Sequence, residues 1–179
     1  VGEDGPTHEP VEQEAQIRLM EKMKNHLGKD SVRVFRPADV EETTVCWKMA
    51  MENMDTPTAM ICSRQNVDNL PQGTDYSQAV KGAYIVAESD ENPDVILVAS
   101  GSEVSTLVAG AALLRQDGLK VRVVSCPSEG LFRTQSKEYQ ESILPNGAKI
   151  FGLTAGLPVN LQGLVGCNGK VFGLESFGF

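Results

Sequence analysis

In the segment Gly2-Glu3-Asp4-Gly5-Pro6-Thr7-His8 a carboxylate and an imidazole stand four residues apart, on a stretch that two glycines and a proline keep out of regular structure. An imidazole titrates near neutrality and a neighbouring anion favours its protonated form, so His8 beside Asp4 suits a general acid or base. The alternative is a histidine that only caps or hydrogen-bonds the turn. Arg64, in Ser63-Arg64-Gln65-Asn66, follows the apolar run Thr58–Cys62 at its carboxyl end. Open α/β sheets bind ligands there, and a planar guanidinium suits a phosphate. An arginine paired with a neighbouring carboxylate is the competing reading. Ser100-Gly101-Ser102-Glu103 also passes from strand to helix, where spare amides can hold an anion. One glycine is no G-x-G-x-x-G fingerprint, however, and Ser100 with Glu103 reads as a capping box. Gly163, Gly166 and Gly169 read as turn glycines in a hairpin or loop.

The elements that must position these residues follow from periodicity. Val11, Ala15, Leu19, Met23 and Leu27 recur every fourth residue, predicting a helix from Val11 to Leu27 that Gly28 stops. Thr7 would be its N-cap. Val32–Phe35 reads as a strand, and Asp39 with Glu42 matches a D-x-x-E capping box for a second helix. The core stripe of that helix would be Trp47, Ala50, Met51 and Met54. Thr58–Cys62 lacks alternation, as expected of a parallel strand covered on both faces. Between Asn66 and Gly82 the periodicity disappears and Asn, Asp, Gly and Pro collect, which marks a linker.

Beyond the linker, strands are predicted at 83–86, 95–99, 121–125, 149–153 and 171–174. Helices are predicted from Glu103 to Gln116, with the stripe Val104, Leu107, Val108 and Ala111, and more weakly around Lys137–Leu144. Such alternation implies an α/β chain with mostly parallel sheets.

Bulk properties narrow the function classes. A chain of 179 residues that is 41% hydrophobic can bury a core, and no internal repeat interrupts it. A formal charge of -8 without a Lys/Arg block argues against a nucleic-acid or anionic-membrane surface. Cys46, Cys62, Cys126 and Cys167 form no C-x-x-C pair and read as reduced thiols of a cytoplasmic protein. With two histidines and scattered cysteines, zinc-ligand spacing is missing, and no apolar run has the length of a membrane span.

Taken in order, Gly2–His8, Arg36-Pro37-Ala38-Asp39, Ser63-Arg64-Gln65-Asn66, Gly101-Ser102-Glu103-Val104 and Ser176-Phe177-Gly178 resemble transketolase over essentially the whole chain. Deoxyxylulose-phosphate synthase shares the D-G-P-T-H core but not the full set. The resemblance implies two α/β pieces. Residues 1–66 would end a pyrimidine-binding domain, 67–81 would be linker, and 82–179 would be a three-layer C-terminal domain lacking its last helix. It further implies transfer of a two-carbon ketol unit from a ketose phosphate to an aldose phosphate, in the pentose phosphate pathway. Thiamine diphosphate would be the cofactor, a divalent cation (Mg or Ca) would hold its diphosphate, and the enzyme would be a homodimer sharing its site between subunits.

By the same resemblance His8 is the catalytic residue that contacts sugar oxygens and assists proton transfer. Asp4 bonds a sugar hydroxyl, and Arg64 clamps the sugar phosphate. The family's cofactor and metal ligands lie upstream of Val1, so the chain by itself is expected to be inactive and to bind neither. Without the preceding strands, the first piece is expected to expose sheet edge and apolar helix faces. Between His8 and Arg36 there are more residues than the family usually has, and Thr154 stands where many members carry Glu. A non-catalytic regulatory or assembly module derived from the same C-terminal half is the alternative.

Overall fold

The computed structural model describes residues 10–88 and 90–177, so Asp4, His8, the Thr7 cap and the end of the Ser176-Phe177-Gly178 motif fall outside the described residues. Two β-units, their strands mostly parallel, follow one another. In the first, β1 (Arg33–Phe35) pairs in parallel with β2 (Thr58–Met60), Val34 lying opposite Ala59, and α2 (Val40–Glu52) makes the crossover. Asp39 caps α2 as expected, its carboxylate accepting from Glu42 N at 2.9 Å, but the reciprocal half of the capping box is displaced by one residue, the Glu42 carboxylate accepting from Ala38 N. Before β1 runs α1 (Gln13–Glu21).

The second unit is a five-stranded sheet of order β3-β5-β4-β6-β7, formed by Tyr84–Glu88, Val121–Ser125, Val95–Ala99, Ile150–Leu153 and Lys170–Phe172. Every pairing is parallel except β3 with β5. Alternation along β4 divides the core between the two faces. Leu97 and Ala99 pack with Val104, Leu107 and Ala111 of α3 (Glu103–Gln116) on one side. Ile96 and Val98 pack with Phe132, Ile143, Leu161 and Leu164 on the other, from α4 (Glu129–Arg133), α5 (Lys137–Ile143) and α6 (Val159–Val165). Helix α3 matches the expected span and stripe, and Gly118 beyond it has φ 85. The segment between the units contributes a 3₁₀ turn, Tyr76–Lys81.

The two units abut at the carboxyl ends of their strands. Just past β1, Arg36 N donates to Pro127 O and Arg36 O accepts from Gly101 N, joining the first unit to the exits of β5 and β4. Gly101, at φ 69, sits in the left-handed region that favours glycine, and a Cβ there would fall 2.5–2.6 Å from the Arg36 guanidinium and force it to move.

Several sequence expectations are corrected. Helix α1 stops at Glu21 rather than Leu27, because Asn25 Oδ1 accepts from Leu27 N and Lys29 N and folds residues 22–30 into a turn. The helix buries Arg18, while Leu19 is 61% exposed. In α2 the buried residues are Glu42 and Cys46, whereas Trp47, Met51 and Met54 are exposed. Strand β2 is half-buried rather than covered on both faces. Ser100 and Glu103 form no capping box, since α3 has no side-chain cap and both groups serve Arg18 or Arg36 instead. Gly163 lies within α6, a helix the sequence pattern missed.

Gly82 closes the 3₁₀ turn at φ 87, and a Cβ there would overlap the backbone of Ser128 and Phe132. Gly82→Ala is expected to cost about 3 kcal/mol from left-handed strain plus overlap, read as a lower denaturant midpoint.

Candidate functional site

The sequence pattern marks the carboxyl end of the Thr58–Cys62 run as a candidate ligand position, and the fold has a groove there, between the exits of β1 and β2. It has a volume of about 200 Å³ and is lined by Pro37, Ala38, Asp39 and Val40 from the β1–α2 turn, Thr43 of α2, and Cys62, Ser63 and Val67 after β2. Arg64 occupies the exposed bend directly after Ser63.

Beneath the groove two buried carboxylates of α2 tie the parts together. Asp39 Oδ1 caps the helix, and its Oδ2 accepts from Leu70 N at 2.8 Å and Tyr76 Oη at 2.5 Å. Glu42 is fully buried and accepts from Ala38 N at 2.6 Å, Tyr84 Oη at 2.8 Å and Ser125 Oγ at 2.7 Å. Tyr84 and Ser125 belong to β3 and β5, so one carboxylate joins the two units. Burial pushes Glu42 up to about 7, outweighing the three donors that favour its anion, with neighbouring Asp39 adding slightly. The Tyr84 and Tyr76 hydroxyls are raised too, each chiefly by burial.

A second junction is ionic. Glu14 and Arg18 pair within α1 at 2.8 Å, and Arg18 Nη2 donates to Ser100 Oγ at 3.3 Å. Arg36 donates to the Ser100 carbonyl and pairs with Glu103, while its Nε lies 3.4 Å from Glu14. These five residues fasten α1 and the β1 exit to the start of α3. At the rim of the same unit, Glu21 Oε1 accepts from Val34 N at 2.8 Å.

The four thiols are free. Cys46 and Cys126 are buried, and burial raises both, Cys126 to about 12, which keeps them protonated and unreactive. Among the described residues no three His, Cys, Asp or Glu side chains are grouped to hold a metal ion, and no helix is long and apolar enough to cross a membrane.

Of the residues singled out in sequence, Asp39 lines this groove, Glu42 is fully buried behind it, and Arg64 is outside the lining, next in the chain to its residue Ser63. The interface roles of Glu42, Arg36 and Arg18 were missed. The D-x-x-E spacing signals a cap but carries no sign of Tyr84 or Ser125, which arrive from 42 and 83 residues away.

Two units of mostly parallel strands, joined through Arg36, define an α/β protein, and comparison with known proteins specifies it further. Residues 1–69 match the family described as transketolase, pyrimidine binding domain, and residues 82–179 match the transketolase-like TK C-terminal domain. A probable transketolase of Streptococcus pneumoniae is 43% identical over 179 residues, covering 99% of this chain and 26% of the relative. A Staphylococcus epidermidis transketolase is 44% identical over 181 residues, with the same coverage of both. Among solved structures, a Pichia stipitis transketolase mutant complexed with xylulose 5-phosphate superposes with a TM-score of 0.83 at 36% identity, covering 97% of this chain and 24% of that one. The Leishmania mexicana transketolase gives 0.83 at 33% identity, with the same coverage. The chain belongs to the transketolase family, and it spans about a quarter of the length of the relatives it matches.

Glu42 also makes stability depend on pH. Its pKa rises from an ordinary 4.5 to about 7 on folding, so the folded state holds the proton more tightly than the unfolded chain. The resulting stabilisation is complete below pH 4.5 and is lost as pH climbs through 7. Denaturant unfolding should therefore show about 3 kcal/mol less stability at pH 8 than at pH 4.5 from this group. Glu42→Gln, which cannot ionise, should flatten that slope.

Proposed function

We propose that this chain forms part of a transketolase that moves a two-carbon ketol unit between sugar phosphates, with residues 1–66 ending the pyrimidine-binding domain, 67–81 linking, and 82–179 forming the C-terminal domain. The observation that carries this reading is the position of Arg64, exposed at the carboxyl end of a parallel strand within a chain of this family. A Pichia stipitis relative of known structure is a complex with xylulose 5-phosphate, which supports a sugar phosphate as the ligand.

In this reading Arg64 holds the phosphate by charge-assisted hydrogen bonds. Asp4 bonds a sugar hydroxyl, and His8 orients the reacting end and moves a proton at the sugar oxygen. Thiamine diphosphate, when bound, supplies the nucleophile and electron sink. Among the described residues no three His, Cys, Asp or Glu side chains are grouped for its divalent cation. In this reading the cofactor and its cation are held by other segments of the full-length enzyme, the working enzyme is a cytoplasmic homodimer, and these 179 residues alone are inactive.

In the full-length enzyme Arg64→Ala should raise KM for xylulose 5-phosphate by roughly 10- to 100-fold, the worth of one charged hydrogen-bonding group. His8→Ala should lower kcat by about 100-fold or more. Steady-state kinetics reads both, and an unchanged KM in the arginine variant would remove Arg64 from the site. Calorimetry on the isolated chain should show no heat of thiamine diphosphate binding, and stoichiometric tight binding would contradict the assignment of that group to other segments.

A further inference from the structure

The stretch from Ile61 to Leu70 carries Arg64 and is tied at its two ends. At the start, Ile61 N donates to Phe35 O at 2.8 Å and so extends the β1–β2 ladder. At the far end, Leu70 N donates to Asp39 Oδ2 at 2.8 Å, and Leu70 itself is buried. The same oxygen accepts from Tyr76 Oη, a residue of the 3₁₀ turn that leads into β3. The other oxygen of Asp39 caps α2. Asp39 therefore spans the groove floor between the β1–α2 turn and the segment bearing Arg64, and it is itself 2% exposed.

We infer that Asp39 is a positioning residue: through Leu70 and Tyr76 it sets the path of the loop that presents Arg64, and so sets the preference for phosphorylated over unphosphorylated sugars. This rests on Arg64 being the phosphate group's partner. The carboxylate does two jobs that a single substitution can separate. Asparagine caps helices as well as aspartate does, so Asp39→Asn keeps an oxygen on Glu42 N. Its amide then faces Leu70 N–H, donor against donor, in a buried place where an unpaired amide is costly. The helix stays capped while the loop loses its anchor.

The experiment measures kcat/KM for xylulose 5-phosphate and for xylulose in the full-length enzyme, and compares their ratio in the parent, Asp39→Asn, Tyr76→Phe and Arg64→Ala. Asp39→Asn should lower the ratio about tenfold through KM for the phosphorylated sugar, and Tyr76→Phe, which removes one donor from the same oxygen, about two- to threefold. Should Asp39→Asn fail to fold, the Tyr76→Phe ratio decides. A ratio that falls in Arg64→Ala and stays at the parent value in both loop variants overturns the inference and leaves the phosphate role of Arg64 standing. A ratio unmoved in all three overturns both. Equal losses of kcat with the two sugars in Asp39→Asn would mark a general structural role, and would also overturn the inference.

Discussion

Burying a carboxylate is costly even with donors aimed at it, and in this protein Glu42 is where groups from two units at once offset part of that cost, the remainder standing as its raised pKa. One oxygen takes a hydroxyl from β3 and another from β5, and the second oxygen takes the amide of Ala38 in the turn after β1. Any displacement of one unit against the other strands at least one of these groups without a partner. Two of these hydrogen bonds, from Tyr84 and Ser125, cross between the units and fix their relative placement more sharply than apolar contact of the same area would, because apolar packing has no direction. The Arg36–Glu103 pair and the Arg18–Ser100 contact repeat the device at a second point, which resists rotation about the first.

The C-terminal unit was largely legible in the sequence, for a physical reason. Its strands and α3 are buried by one another, so apolar spacing alone reports their identity, and Val95–Ala99, Glu103–Gln116 and Val121–Ser125 fall where the pattern places them. The short helices α4 and α6 were not legible, because the five residues of α4 cannot display a 3.6-residue period and Gly163 inside α6 reads locally as a turn.

The first unit misled for the opposite reason. Periodicity identifies a face that is apolar, and it is silent on what covers that face. In α2 the apolar spacing of Trp47, Met51 and Met54 is real, yet the described residues bury the opposite, more polar side through Glu42 and Cys46. Helix α1 behaves alike, turning Arg18 inward and leaving Leu19 in solvent. Both helices present to the second unit a side made of charges and hydrogen bonds, which single-sequence reasoning assigns to water. Asp39 and Glu42 were legible as a cap because that chemistry is local. Their second partners, Leu70, Tyr76, Tyr84 and Ser125, are set by tertiary placement, which spacing within one helix does not encode.

The arrangement also explains why the candidate groove lies at the seam. Strand ends are where backbone groups leave the ladder and the chain must turn, so side chains can be aimed without breaking a sheet. Here the carboxyl ends of β1, β4 and β5 meet through Arg36, Gly101 and Pro127. The turn that follows Arg36 therefore has one wall held by the second unit, and the same turn supplies Pro37, Ala38 and Asp39 to the groove beside Ser63. A site built this way takes its rigidity from the interface rather than from the two-stranded sheet, which is too small to hold a geometry by itself. The residues that grip the interface and those that shape the groove are accordingly neighbours within one short run, Arg36 to Glu42. Substitutions at the seam should on this ground reshape the groove even where they do not line it.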